Sequence, residues 1–210
     1  MAASSPWTLV PAADYEAHMG PGGADQLRPL AAILAAALRD LRPARLLVLG
    51  VATGNGLEAV DPTVTERVVG LDLNLQYLAV ARQRHMRLGP RLELYCQDAV
   101  RADLPGGGFD LAWAGLFLEH VEPAAVLPRV ARWLAPGGSL VAALQLPPAG
   151  EPPPPSRLAS VRGVAEAMRL VPPGTLAALA SAAGLLPRQA WEVVIGRGAR
   201  LHVCRWVRPK

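Results

Sequence analysis

Arg45-Leu-Leu-Val-Leu-Gly-Val-Ala-Thr-Gly-Asn-Gly56, followed by Val68-Val-Gly-Leu-Asp72, is the stretch on which the fold turns. Leu46 to Leu49 form a continuous apolar run, the signature of a parallel strand covered on both faces. Small residues at Gly50, Ala52, Gly54 and Gly56 then let the chain turn tightly and leave the main chain open to a ligand. A short helix and a second buried strand follow, and that strand ends in the carboxylate of Asp72. Open α/β sheets bind ligands at the carboxyl ends of their strands. An acid placed there accepts hydrogen bonds from the two hydroxyls of a ribose, so the stretch reads as a nucleoside-cofactor site.

Working outward, the apolar positions Leu27, Leu30, Ile33, Leu34, Ala37, Leu38 and Leu41 recur at helical spacing, predicting a helix over residues 25–41. Asn74 is placed to cap a helix running to about Leu88, which Gly89-Pro90 stops. Residues 91–95 alternate like a third strand, and residues 109–115 read as a fourth after the glycine loop at 106–108. A helix at 124–135 leads through Pro136-Gly-Gly138, a sharp turn, into a strand at 139–146. After a helix at about 173–183, strands at 189–195 and 201–207 are joined so closely by Gly196-Arg-Gly198 that they must form an antiparallel hairpin. The expected fold is therefore α/β, a three-layer Rossmann-like sandwich whose mostly parallel seven-stranded sheet ends in an antiparallel hairpin. Residues 1–24 form a segment rich in Ala, Pro and Gly, in which Tyr15 and His18 either flap over a site or pack a helix terminus. Residues 25–210 read as one domain, with a proline-rich loop insertion at 147–172 centred on Glu151-Pro-Pro-Pro-Pro155.

Composition narrows the function. The 210 residues suit one domain, and 51% of them are hydrophobic, yet no window of 18 is uninterruptedly apolar, so no membrane span is expected. Residues 1–20 lack the basic start and apolar centre of a secretory signal. Two cysteines, Cys96 and Cys204, have no metal-ligand spacing and fit a reducing compartment, so the expected location is the cytoplasm. Net charge is +4, and the basic residues are dispersed apart from a mild cluster at Arg197, Arg200, Arg205, Arg208 and Lys210, read as a solvated tail. A nucleic-acid partner is not expected.

The ordered set VLGVATGNG (48–56), VVGLDLN (68–74), QDA (97–99), FDLAWAGLFLEHVE (109–122) and LAPGG (134–138), with the closing hairpin, resembles the class I S-adenosylmethionine-dependent methyltransferases from about Asp25 to Val207. By that resemblance S-adenosylmethionine is the cofactor. Gly50, Ala52, Gly54, Asn55 and Gly56 would line its methionine and ribose parts, Asp72 with Leu73 its ribose, Asp98 and Ala99 its adenine, and Gly115 would border the sulfonium. The sequence departs from the family at Gly50, where many members carry an acid, and at Ala52, which replaces a glycine and is accommodated if its φ is negative. A base is needed only if the methyl acceptor must lose a proton. The candidates are His120 and Glu119 after the fourth strand, then Tyr15 and His18. Trp113 and Phe117 are read first as buried packing, with walls of an apolar acceptor pocket or π faces for the cationic sulfonium as the functional alternatives. The acceptor class favoured is a small molecule. A noncatalytic relative binding a nucleoside or a protein partner, and a nicotinamide oxidoreductase, are the competing readings, the second disfavoured because Glu58 stands where a pyrophosphate would meet a helix start.

Overall fold

The computed structural model describes residues 5–104, 108–147 and 156–210. Seven strands, β1 (Arg45–Leu49), β2 (Arg67–Asp72), β3 (Leu92–Cys96), β4 (Phe109–Gly115), β5 (Leu134–Gln145), β6 (Leu186–Val194) and β7 (Arg200–Val207), form one sheet in the order β3-β2-β1-β4-β5-β7-β6. Five strands run parallel, and β7 inserts antiparallel between β5 and β6. The chain order reverses at β1, whose neighbours are β2 and β4, and the ligand crevice of such sheets opens at that point.

Alternation along β1 shows why the sheet has two covered faces. Leu47 and Leu49 enter one core cluster with Val126, Leu127 and Val130 of α4 (Pro123–Trp133) and Leu176 of α6 (Pro173–Ala182). Leu46 and Val48 enter the other, with Leu30, Ile33 and Leu34 of α2 (Leu27–Leu41) and Leu78 of α3 (Leu75–Arg84). At this period an unbroken apolar run has no face left for water. Asn74 caps α3 as expected, its side-chain oxygen accepting from the backbone N–H of Gln76 at 2.9 Å.

Four sequence expectations change. The PGG turn lies inside β5: Gly137 bends with φ +83°, yet it and Gly138 still exchange backbone hydrogen bonds with Arg208, so pairing continues through the bend. The basic cluster is not a tail, because Arg200 and Arg205 belong to β7, where Arg200 pairs with Glu192 and Arg205 reaches Ser139. The expected loop at 147–172 contains a helix, α5 (Ala159–Ala167), while its proline run, like Gly106 and Gly107, lies outside the described residues. The N-terminal segment, expected to be partly irregular with a short helix starting near Asp14–His18, forms that helix over a longer span, α1 (Ala12–Met19), after a 3-10 turn at Pro6–Leu9.

These last two pieces meet. Val10, Val161 and Val164 are buried together against Trp7, Tyr15 and Leu158, and the Ser160 hydroxyl donates to Asp14 at 2.6 Å. The result is a cap built from two distant parts of the chain. Among the described residues no helix is long and apolar enough to cross a membrane.

Candidate functional site at the carboxyl ends of the strands

The turn after β1 is shaped by backbone, not by side chains. Its first residues reverse direction with Gly50 at φ +64° and Ala52 at φ +46°. The alanine is thus left-handed, contrary to the negative φ expected for it, a conformation costing an L-residue roughly 1–2 kcal/mol. Ala52→Gly is accordingly expected to raise unfolding stability by up to about 1 kcal/mol in denaturant titrations, after the unfolded-state entropy of glycine is deducted. What holds Ala52 in place is Asp72: its Oδ2 accepts the Ala52 backbone N–H at 2.9 Å, while Oδ1 accepts that of Asn74 at 2.9 Å. Burial nevertheless wins over these hydrogen bonds and raises the Asp72 carboxyl above the ordinary carboxylate range. A half-buried carboxylate in that condition gains from any further donor brought to it.

Asp98 stands at the same end of the sheet, one strand over, after β3. The Gln97 N–H donates to the Asp72 carbonyl at 3.1 Å, so the two acids are neighbours across a strand end. Asp98 also accepts the Val100 N–H at 2.9 Å, Ala99 is buried, and Leu73 is 38% exposed beside Asp72. Gly115 ends β4 with no room for a side chain, since a methyl there would lie 2.6 Å from the Trp113 ring. That indole is itself buried in the core with Val48 and Val141, so it does not line an acceptor pocket.

Three residues of the turn serve packing. Asn55 donates its amide to the Leu27 carbonyl at 2.9 Å, turned toward α2, so its side chain is committed elsewhere than to a ligand. Gly56, at φ +90°, allows α2 to approach, because a methyl would meet Leu34 at 3.0 Å. Gly54 likewise lets His85 and Ala81 close in, with His85 Cδ2 at 2.7 Å from a methyl there.

The cap lies on this turn. Glu16 of α1 accepts from the Thr53 hydroxyl at 2.7 Å and pairs with Arg84 at 2.7 Å; burial opposes its ionisation, but these partners prevail and hold its carboxyl below the usual range. Asn74 donates its amide to the Trp7 and Val10 carbonyls at 2.9 and 3.2 Å. Tyr15 packs against Tyr77 with centroids 5.1 Å apart, and Trp7 stands edge-on to both Tyr15 and His120, at 5.7 and 5.5 Å. Burial first, then the Asp72 carboxylate, pushes the Tyr15 phenol up, which leaves it protonated and poorly suited as a base. Asn74→Ala removes both a helix cap and two buried acceptor partners. It is expected to cost about 2–3 kcal/mol in denaturant unfolding.

Of the four acid-base candidates, three are brought together. Tyr15 and His120 flank Trp7, and Glu119 adjoins His120 in a 3-10 turn after β4. Glu119 is 1% exposed; its Oε1 accepts the Gln145 N–H at 2.7 Å, whereas Oε2 makes no hydrogen bond. Burial lifts this carboxyl to about 7 and depresses the neighbouring His120 imidazole to about 4. His18 stands apart: its imidazole makes no hydrogen bond or ring contact with the other three among the described residues, and burial lowers its pKa. The sequence reading missed Trp7, Glu16, Thr53, Tyr77 and Arg84. Tyr77 carries a signal seen only in three dimensions, a buried hydroxyl without a partner next to Asp72.

Sheet order, glycine-rich turn and neighbouring strand-end acids define a Rossmann-like fold with a polar crevice at the carboxyl ends of β1, β2 and β3. Residues 46–138 match a family profile described as a methyltransferase domain. Trans-aconitate 2-methyltransferase of Methylobacterium nodulans is 34% identical over 163 residues, covering 70% of this chain and 60% of that protein. This chain thus spans less than two thirds of that relative's length. The N-methyltransferase NodS from Bradyrhizobium japonicum WM9, solved with S-adenosyl-L-homocysteine, superposes with a TM-score of 0.65 at 19% identity, covering 100% of this chain and 94% of that one. The [4+2]-cyclase SpnF superposes at 0.69 and 19% identity, covering 86% and 80%. Residues 46–138 are thus similar to a methyltransferase domain, and the solved structures share the fold of the whole chain.

Proposed function

We propose that this protein transfers a methyl group from S-adenosylmethionine to a small-molecule acceptor in the cytoplasm. The observation that carries the reading is the half-buried carboxylate of Asp72, bonded to the Ala52 N–H at the carboxyl ends of β1 and β2 with Asp98 just beyond the end of β3. The residues fit the nucleoside half of such a cofactor: Asp72 and the unpartnered Tyr77 hydroxyl would meet its ribose, and Asp98 and the Ala99 N–H the adenine edge. When bound, S-adenosylmethionine supplies an already activated methyl group. The protein then has to align the acceptor and exclude water, and alignment alone is worth up to roughly 7–11 kcal/mol in favourable cases.

A small acceptor is supported by the cap, since Trp7, Tyr15 and α5 cover this end of the sheet and leave a macromolecule little direct approach. For an acceptor that must lose a proton, Glu119 Oε2 is the better receiver. Its pKa near 7 matches neutral operation, whereas His120 near 4 is a weaker base. The nicotinamide alternative loses support from the turn itself. Beyond Gly56 there is one 3-10 turn, Leu57–Ala59, with no α-helix to meet a pyrophosphate, and Glu58 Oε2 already takes the Gly56 N–H at 2.9 Å.

Calorimetric titration with S-adenosylmethionine, S-adenosylhomocysteine and NADH, followed by a transfer screen over small-molecule acceptors, tests the proposal. Micromolar binding of the first two and methylation of an acceptor are expected. Binding of NADH alone would refute it, and tight adenosyl binding without transfer to any acceptor would point to a noncatalytic relative.

A further inference from the structure

At the carboxyl end of β4 the chain turns through Leu116, a bulky residue at φ +52° whose N–H donates to the Ala143 carbonyl at 2.9 Å. Strain of this kind persists only where its surroundings impose it. Its outcome is the placement of Phe117. The ring packs directly on Gly50 at the end of β1: a methyl group at residue 50 would lie 2.8 Å from Phe117 Cδ2 and 3.6 Å from Cγ. The strained turn at Leu116 and the bare Gly50 are therefore one arrangement, in which residue 50 carries no side chain both because its φ is +64° and because an aromatic ring occupies that space. Phe117 is anchored on the core beside Leu49 and Leu118 but is only half-buried. The nearby acids have other engagements, Glu16 with Thr53 and Arg84, and Glu119 with the Gln145 N–H.

We propose that Phe117 is the specificity-determining residue for the amino-acid end of the S-adenosyl ligand, receiving it on an apolar aromatic wall where a carboxylate at residue 50 would otherwise stand. This rests on the methyltransferase reading above. The ring offers contact area to the methylene groups and a π face to the ammonium, an attraction that is weaker than a buried ion pair but needs no charged protein group to be desolvated. Gly50 and Phe117 thus form a matched pair, and neither can be exchanged alone without loss.

Calorimetry with three ligands isolates this role. S-adenosylmethionine and S-adenosylhomocysteine carry the amino-acid end, and 5′-methylthioadenosine lacks it. Phe117→Ala is expected to weaken the first two about 5- to 20-fold while leaving the third within about twofold, the range that a cation–π contact and lost contact area convert to. Gly50→Asp alone, colliding with the ring, should lose the first two ligands as well. Placed on Phe117→Ala, the same aspartate should regain affinity for both and leave methylthioadenosine unchanged. Should Phe117→Ala fail to fold, Phe117→Leu keeps the packing without the π face and is expected to shift the same two ligands in the same direction. A fall shared equally by all three ligands, a fall for S-adenosylmethionine alone, or no change would overturn the assignment. Wild-type protein that binds none of the three would instead overturn the methyltransferase reading itself, and this inference with it.

Discussion

Asp72→Asn is expected to weaken S-adenosylmethionine binding about 10- to 100-fold with little change in protein size or shape. A hydrogen bond to a charged group contributes roughly 1.5–3 kcal/mol, and each 1.4 kcal/mol is tenfold in affinity. The carboxylate uses both oxygens on the backbone, one on Ala52 and one on Asn74, and can still accept from ribose hydroxyls. An amide has a single acceptor oxygen, so its NH2 would face one of those two N–H groups. The turn after β1 should therefore loosen as well, offset in part by removal of a half-buried charge. Calorimetry measures the first effect and thermal unfolding the second. Unchanged affinity would mean that no ribose is held here.

The second large effect concerns pH. Glu119 has its folded pKa raised to about 7 from an ordinary 4.5, so the folded state binds more protons than the unfolded state between those values. Its contribution to stability is fully present below about pH 4.5 and is lost as pH rises toward 7, by roughly 3 kcal/mol at about 1.4 kcal/mol per pH unit. His120 acts in the opposite sense. Its pKa is depressed to about 4 from 6.5, so its contribution is present above 6.5 and lost as pH falls through 4. Glu119→Gln, which cannot ionise, should match wild type near pH 4.5 and exceed it by up to about 3 kcal/mol at pH 8. Denaturant unfolding at the two pH values checks this. If Glu119 also receives the acceptor's proton, the same variant should lose the rise in turnover with pH that wild type shows around neutrality, a change that added stability alone would not produce.

Much of this was legible in the chain because the signals were local. The apolar run at Leu46–Leu49, Asp72 at a strand end and Asn74 before a helix each state their role within a few residues, and the hairpin around Gly196–Gly198 leaves no topological choice. What was hidden depends on partners far away in sequence. Nothing around Glu16 announces Thr53 and Arg84, and nothing around Phe117 announces Gly50. Ala52 was misjudged for a related reason: its φ is dictated by the Asp72 carboxylate twenty residues on, which outweighs the residue's own preference. The bend at Gly137 looked like a strand boundary because glycine beside proline is normally punctuation. Pairing with Arg208 carries the strand through it.

The joint between Trp7 and His120 also sets a clock. A cofactor held at Asp72 as proposed would lie beside a cap built from two separate parts of the chain, residues 5–19 and α5, which the Ser160–Asp14 hydrogen bond ties together. If release waits on the parting of those two pieces, unlike occupants should depart at one pace, and stopped-flow displacement compared between wild type and Trp7→Phe, which leaves the other four tryptophans in place, checks it.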